Sequence, residues 1–256
     1  MPRFRLVLEY DGTDFQGWQA QRSGARTVQE TLEAAAADLA GQPVPVTGAG
    51  RTDAGVHAEG QVASLRFEAP PADRLDARAL VRALNVRLPE DLAVRSAERV
   101  PDGFDPRREA RAKLYRYDVY TGRERSPLRR RRWHRVPGPL DVAAMARAAR
   151  AFEGEHDFAA LQSTGSSVTT TKRRVLRCEW GQEGEELRLF VAGSGFLRHM
   201  VRTLAGTLIE VGQGARSPDS VPELLASRDR ARAGPTAPAC GLTLVRIDYD
   251  AASPDP

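Results

Sequence analysis

The residues best suited to chemistry lie in one short stretch, Gly48-Ala49-Gly50-Arg51-Thr52-Asp53-Ala54-Gly55-Val56-His57-Ala58. Glycines at 48, 50 and 55 let the backbone turn tightly and let another molecule approach closely. A phosphate cradle is the first chemistry to test. The Walker pattern must end in Gly-Lys-Ser/Thr, which is absent, and a GxGxxG dinucleotide loop begun at Gly48 needs glycine where Asp53 stands. A carboxylate there repels a pyrophosphate, so both standard nucleotide loops are disfavoured. What remains is a carboxylate two residues from the Arg51 guanidinium, whose positive charge favours the ionised aspartate. Such a group can attack an electron-poor carbon, stabilise a developing cation or take a proton. A structural turn closed by a local ion pair accounts for the same residues more plainly, and residue chemistry alone does not choose.

Other reactive constellations are missing. His57, His134, His156 and His199 have no ligand spacing and no HExxH, and Cys178 and Cys240 form no CxxC pair. Neither a metal site nor a disulfide framework is expected, and the two cysteines read as free thiols. Trp18, Trp133 and Trp180 read as packing residues, with Trp133 placed to touch RNA beside an arginine run. The 256 residues carry 38 basic and 34 acidic side chains, a net charge of +4. Only Lys113 and Lys172 are lysine, a bias that genome composition can produce without any function. Distribution says more: residues 107–135 hold twelve Arg or Lys against three acids, net +9, leaving −5 for the other 227 residues. That concentration suits a surface meeting a polyanion, although a solvated arginine-rich face looks the same in sequence. With 41% hydrophobic and 28% charged residues the composition is that of a soluble globular protein of one or two domains. No apolar run approaches the roughly 18 residues of a membrane span, and Met1-Pro2-Arg3-Phe4-Arg5 has no signal-peptide core. A cytoplasmic location is the expectation.

The elements that must carry these residues can be read from periodicity. Phe4, Leu6, Leu8 and Tyr10 alternate with polar neighbours, predicting a strand with one buried face. Thr27-Val28-Gln29-Glu30 has capping-box spacing, and Leu32, Ala35, Ala36 and Leu39 continue a helix that Gly41 stops. Beyond the glycine loop, a strand is expected over 61–68, a helix over 76–87 and a strand over 92–100. Pro101-Asp102-Gly103 is the expected boundary. The second half repeats the rhythm: a strand at 113–121, a helix through Val142, Met145, Ala149 and Phe152, and a strand pair at 174–181 and 186–192. An apolar helical stripe follows at Leu197, Met200, Val201, Leu204 and Leu208, then a short helix near 218–227 and a strand over 242–249. Two α+β halves, each a small mainly antiparallel sheet with helices on one face, are predicted over residues 1–103 and 104–250. Residues 251–256 read as disordered.

Gly50-Arg51-Thr52-Asp53-Ala54-Gly55-Val56-His57-Ala58 resembles the signature of the TruA-type tRNA pseudouridine synthases, and the resemblance runs along nearly the whole chain. Tyr10-Asp11-Gly12-Thr13 with Phe15, Gly17 and Trp18 is similar to that family's opening segment, and Lys113-Leu114-Tyr115-Arg116-Tyr117 to its tyrosine strand. Gly154-Glu155-His156-Asp157-Phe158, Gly195-Phe196-Leu197-Arg198-His199-Met200-Val201-Arg202, and Pro238 with Gly241-Leu242 follow in order. Leu161 stands where an aromatic is commoner, and the run Arg129-Arg130-Arg131-Arg132 is unusually basic; both departures bear on substrate contacts rather than on the reactive loop.

The resemblance implies two ferredoxin-like or RRM-like halves with an active cleft between them. It also implies isomerisation of uridine to pseudouridine at positions 38, 39 and 40 of the tRNA anticodon stem-loop, with no cofactor and no metal. Asp53 then acts on the ribose of a flipped uridine, either adding to C1′ as a nucleophile or removing a ribose proton to give a glycal. Tyr115 packs against the uracil, as suits a base taken out of its stack. Arg202 pairs with the aspartate, and Arg51 fills the space the base vacates. The spacing places Arg198 one helical turn before Arg202, beside the same cleft. Arg130, Arg131, Lys172 and Arg173 are expected to follow phosphates. A homodimer is implied as well, and no membrane or nucleotide partner. The rival readings are a non-catalytic tRNA-binding protein and, more distantly, a nucleotide-dependent enzyme.

Overall fold

A computed structural model describes residues 2–21, 24–68, 75–163 and 168–250. The chain divides into two compact units, Met1–Arg111 with Leu244–Tyr249, and Ala112–Thr243. Both have the mixed α+β character read from the sequence. The expectation for residues 251–256 falls outside the described residues.

In the first unit, strand β1 (Arg3–Tyr10) buries every second residue, Phe4, Leu6, Leu8 and Tyr10 all being almost wholly inaccessible. Thr27 caps helix α1 (Val28–Ala40): its side chain accepts from the Glu30 amide and its hydroxyl donates to Glu30 Oε2 at 2.6 Å, while Gly41 ends the helix at φ +69°. A short strand β2 (Val46–Gly48) leads into the glycine loop, and β3 (His57–Arg66) leaves it. Helix α2 (Ala77–Asn85), capped by Asp76, packs Leu80 and Leu84 inward against β4 (Leu92–Val100). Strands β4, β1 and β3 are antiparallel neighbours in that order, β2 pairs with β3, and the returning segment Leu244–Tyr249 belongs to this unit. β3 begins four residues earlier than the periodicity suggests. Glu59 and Gly60 dilute its apolar pattern, yet His57 and Ala58 are buried, and Ala58 already lies across from Tyr10.

The second unit opens with β5 (Ala112–Tyr120), to which β6 (His134–Arg135) adds in parallel. Helix α3 (Val142–Arg150) follows, then β7 (Gly154–Asp157), β8 (Lys172–Glu183) and β9 (Glu186–Gly193). The order β5-β9-β8-β7 is antiparallel throughout. α3 packs on β8 and on helix α4 (Met200–Gly212). A one-faced stripe was expected for α4, but eleven of its residues are buried, including Thr203 and Thr207. Their hydroxyls find partners: Thr207 Oγ1 donates to the Thr203 carbonyl at 2.8 Å and accepts from the Gly234 amide at 3.0 Å, and Thr203 Oγ1 lies 3.3 Å from the Thr236 hydroxyl. A threonine hydroxyl with a hydrogen-bond partner can be buried alongside apolar side chains. A short helix α5 (Val221–Ser227) and the strand β10 (Leu242–Asp248) complete the chain. Both cysteines are free thiols, and no helix among the described residues is long and apolar enough to cross a membrane.

Candidate active site

Asp53 sits half-buried between β2 and β3, in a loop whose backbone is held from several sides by the segment following β1. The Tyr10 hydroxyl and Thr52 Oγ1 share a hydrogen bond of 2.9 Å, with both side chains buried. Gln61 Nε2 donates to the Gly50 carbonyl at 3.0 Å and lies 3.4 Å from the same tyrosine oxygen. The other end of that amide is also fixed, Gln61 Oε1 accepting from the Val62 amide at 3.1 Å. One buried network therefore grips the residue before Asp53 by its side chain and the residue three before it by its carbonyl. Burial pushes the Tyr10 phenol up to about 12, against the downward pull of its bonds to Thr52 and Gln61, so the hydroxyl is neutral at physiological pH.

Backbone bonds complete the cradle. The Trp18 amide donates to the Thr52 carbonyl at 3.1 Å, the Gly55 amide to the Phe15 carbonyl at 3.2 Å, and the Val56 amide to the Asp53 carbonyl at 3.2 Å. Two glycines make this approach possible. Gly17 has φ +87°, and a Cβ there would lie 2.7 Å from the Thr52 carbonyl oxygen; one on Gly12 would lie 2.0 Å from that of Val56. His57, wholly buried, accepts the Gly12 amide proton on Nδ1 at 3.1 Å. Asp11 Oδ1 lies 3.2 Å from the same nitrogen. The opening segment and the reactive loop form one hydrogen-bonded body, with Arg51 exposed at its surface.

The second unit carries the remaining candidates. Tyr115 lies on β5 across from Val191 of β9, 8% exposed, its ring edge-on to Phe196 with centroids 5.3 Å apart. Arg202 is half-buried in the first turn of α4, and its Nε donates to the Ala237 carbonyl at 2.8 Å. The Ala237 amide returns a bond to the Arg202 carbonyl at 3.1 Å, and Tyr117 donates to the neighbouring Pro238 carbonyl at 2.9 Å. Burial pushes both the Tyr117 phenol and the Cys240 thiol up, and the Arg202 charge pulls each back down. Arg198 departs from its expected position. His199 adopts φ +61°, so α4 starts at Met200, and Arg198 is an exposed residue of the preceding turn rather than one helical turn below Arg202. Among the described residues, no group of three or more His, Cys, Asp or Glu side chains is arranged to hold a metal ion.

A family model described as tRNA pseudouridine synthase matches residues 6–107 and 148–250. The chain belongs to the tRNA pseudouridine synthase family. It is 47% identical over 250 residues to tRNA pseudouridine synthase A of Geotalea uraniireducens, covering 97% of this chain and all of that protein. The Myxococcus xanthus protein of the same name is 48% identical over 251 residues, covering 97% of this chain and 92% of its own. That of Ruminiclostridium cellulolyticum is 44% identical over 251 residues, covering 97% and 100%. Within this member of the family, Asp53, Arg198, Arg202, Lys172 and Arg173 fall inside the segments that match the family model, whereas Tyr115, Arg130 and Arg131 fall between them.

The basic segment is only partly an open surface. Arg129 is paired with Glu186, its Nε donating to Oε1 at 2.9 Å, and stacks over the Tyr120 ring at 5.0 Å. Arg130, Arg131 and Arg132 are exposed, as is Leu128 before them. Trp133 is covered by the Arg188 guanidinium at 5.3 Å, in keeping with a packing role. Lys172 is exposed, and Arg173 bends back, donating to the Thr170 carbonyl at 2.9 Å and the Lys172 carbonyl at 2.6 Å. The roles of Tyr10, Thr52 and Gln61 have no signal in the sequence. Tyr10 reads as an alternating core residue, and a hydroxyl meeting a partner 42 residues away leaves no local pattern.

Proposed function

We propose that the protein isomerises uridine to pseudouridine at positions 38, 39 and 40 of the tRNA anticodon stem-loop. Asp53 is the group acting on the ribose of a flipped uridine. The bond from C1′ to the base nitrogen breaks, the uracil turns, C1′ bonds to C5, and the C5 proton leaves as the nitrogen gains one. Both open routes, addition to C1′ and removal of a ribose proton, use an ionised carboxylate held still. The observation that carries this reading is the buried Tyr10–Thr52–Gln61 network around the Asp53 loop, in a chain of this family. A turn serving only the fold needs no such support for one half-buried carboxylate.

Tyr115 supplies the aromatic face for the uracil, Arg202 the cation for Asp53, and Arg51 fills the vacated position. Arg198, Arg130, Arg131, Lys172 and Arg173 contact the RNA backbone. The functional partition follows 1–103, with the aspartate loop, and 104–250, with the tyrosine strand and arginine helix. The enzyme works without cofactor or metal, as a cytoplasmic homodimer. The test is to incubate purified protein with unmodified tRNA, without nucleotide and with chelator, and to map pseudouridine in the anticodon arm. Product is expected at 38–40, and Asp53→Ala abolishes it while tRNA binding survives. Product from that variant overturns the assignment of Asp53.

A further inference from the structure

Between β9 and α4 the chain turns through Ser194-Gly195-Phe196-Leu197-Arg198-His199. Phe196 packs edge-on against the Tyr115 ring, Leu197 is buried, and Arg202 follows in the first turn of the helix. His199 is the helix N-cap, at φ +61° and ψ 1°, one of two non-glycine residues with positive φ among the described residues. A Cβ in that left-handed region costs free energy, so the surrounding structure must hold it there. An N-cap side chain ordinarily accepts from its own helix, but the His199 ring makes no such bond. It is turned to another segment instead, where Ser163 Oγ and His199 Nδ1 share a hydrogen bond of 2.8 Å. The backbone joins at the same place, the Ser163 amide donating to the Arg198 carbonyl at 3.3 Å. Ser163 thereby staples both residues that precede α4. It lies two residues past the short helical turn Ala159–Leu161, which packs on α4 with Ala160 and Leu161 buried, so the staple has a fixed base.

We propose that His199 is a positioning residue for pseudouridine formation: its left-handed backbone and its bond to Ser163 fix the first turn of α4, and with it the direction of the Arg202 guanidinium. The helix starts from this residue. The Met200 amide turns back to the Leu197 carbonyl at 3.1 Å, and the Thr203 amide bonds the His199 carbonyl at 2.9 Å. On the other side of the same turn, Arg202 is tied to Ala237 through both its Nε and its carbonyl. The turn is thus held from two directions, by Ser163 and by Ala237, and release of the first lets the helix end fray and the guanidinium wander. A charge that serves a reaction works best when its direction is set beforehand by packing and by bonds to neighbouring residues. The inference rests on the role given to Arg202 above; the staple itself rests on the geometry of residues 163 and 197–203.

Variants at both ends of the bond test it. Ser163→Ala removes the bond without altering the backbone at 199, whereas His199→Gly removes it and relaxes the positive φ. His199→Asn tolerates the left-handed region and puts an amide atom where Nδ1 stands. For Ser163→Ala and His199→Gly, kcat is expected to fall roughly tenfold with KM and tRNA affinity unchanged. The double variant should be no slower than either alone, because both remove one interaction. His199→Asn should recover most of the parental kcat. Each single variant should unfold within about 4 °C of the parent, so assays far below the transition separate rate from stability. A second readout needs no turnover. In protein carrying isotope-labelled arginine, the Arg202 Nε–H resonance, assigned by its loss in Arg202→Ala, should exchange slowly with water in the parent and the asparagine variant. It should exchange faster in Ser163→Ala and His199→Gly. Parental kcat in those two variants overturns the inference, as does unchanged protection of the Arg202 Nε–H, or an asparagine variant as slow as the glycine one. Failure of the functional reading looks different: the resonance responds as expected, yet Arg202→Ala keeps parental kcat.

Discussion

Replacing Thr52 by valine removes one oxygen, keeps the side-chain shape, and leaves Asp53 untouched. In the parent, the Thr52–Tyr10 bond of 2.9 Å is buried, and the remaining polar neighbour of the phenol is Gln61 Nε2 at 3.4 Å, a donor. With Thr52 gone the phenol proton has no acceptor in that network, and an unsatisfied buried donor costs about 1–3 kcal/mol. For a chain of this size each kcal/mol lowers Tm by about 2–4 °C, so a fall of roughly 2–12 °C is expected. The larger effect is on rate. Loosening the residue before Asp53 shifts the carboxylate, and a misplacement of about 1 Å costs on the order of a hundredfold. At a temperature well below both transitions, kcat for pseudouridine formation should drop at least tenfold, while KM and tRNA affinity stay within twofold. Thr52→Ser, which restores the hydroxyl, should recover most of the rate. Circular dichroism melts and a tritium-release or mapping assay on anticodon-arm RNA measure both effects. Parental kcat in Thr52→Val, or a serine variant as slow as the valine one, refutes the claim that this hydroxyl holds the catalytic loop.

Gly17→Ala places a Cβ 2.7 Å from the Thr52 carbonyl at a φ of +87°, so the variant should lose at least about 2 kcal/mol in denaturant unfolding and most of its activity; parental stability would mean that the loop has room to move aside. The Tyr10 phenol titrates at about 12 in the folded chain against about 10 unfolded, so the folded state holds its proton longer. Its contribution, on the order of 3 kcal/mol, is complete below pH 10 and fades as pH rises towards 12. Tyr10→Phe should therefore flatten the loss of stability across pH 10–12, as followed by urea unfolding at each pH. Replacing Arg130 and Arg131, both exposed, by alanine should weaken tRNA binding and reduce its salt slope by up to about 2 in a filter-binding titration; an unchanged slope places them off the RNA.

Much of this protein is legible in the linear chain because its governing interactions are local or periodic. The alternation of β1, the Thr27–Glu30 cap and the β8–β9 hairpin each depend on residues a few positions apart, and each lies where periodicity puts it. The identity of the loop around Asp53 is likewise local, being a matter of which residue follows which. Where the pattern is ambiguous the reading slips. Gly60 hides the start of β3, and the buried threonines of α4 make a helix enclosed on nearly every side look one-faced. Spacing alone puts Arg198 on that helix, because no spacing rule foresees a histidine at φ +61°.

The tertiary structure alone decides how the carboxylate is held and which distant side chains face one another. Tyr10 meets Thr52 across 42 residues, and Gln61 meets Gly50 across 11, because β1 and β3 lie side by side. The same pairing sets Arg3 directly across from Arg66, 63 positions apart in the chain. Side-chain types and short-range order are written in the chain directly. Which distant groups come within 3 Å depends on strand register, and register is settled only when the whole buried face packs at once.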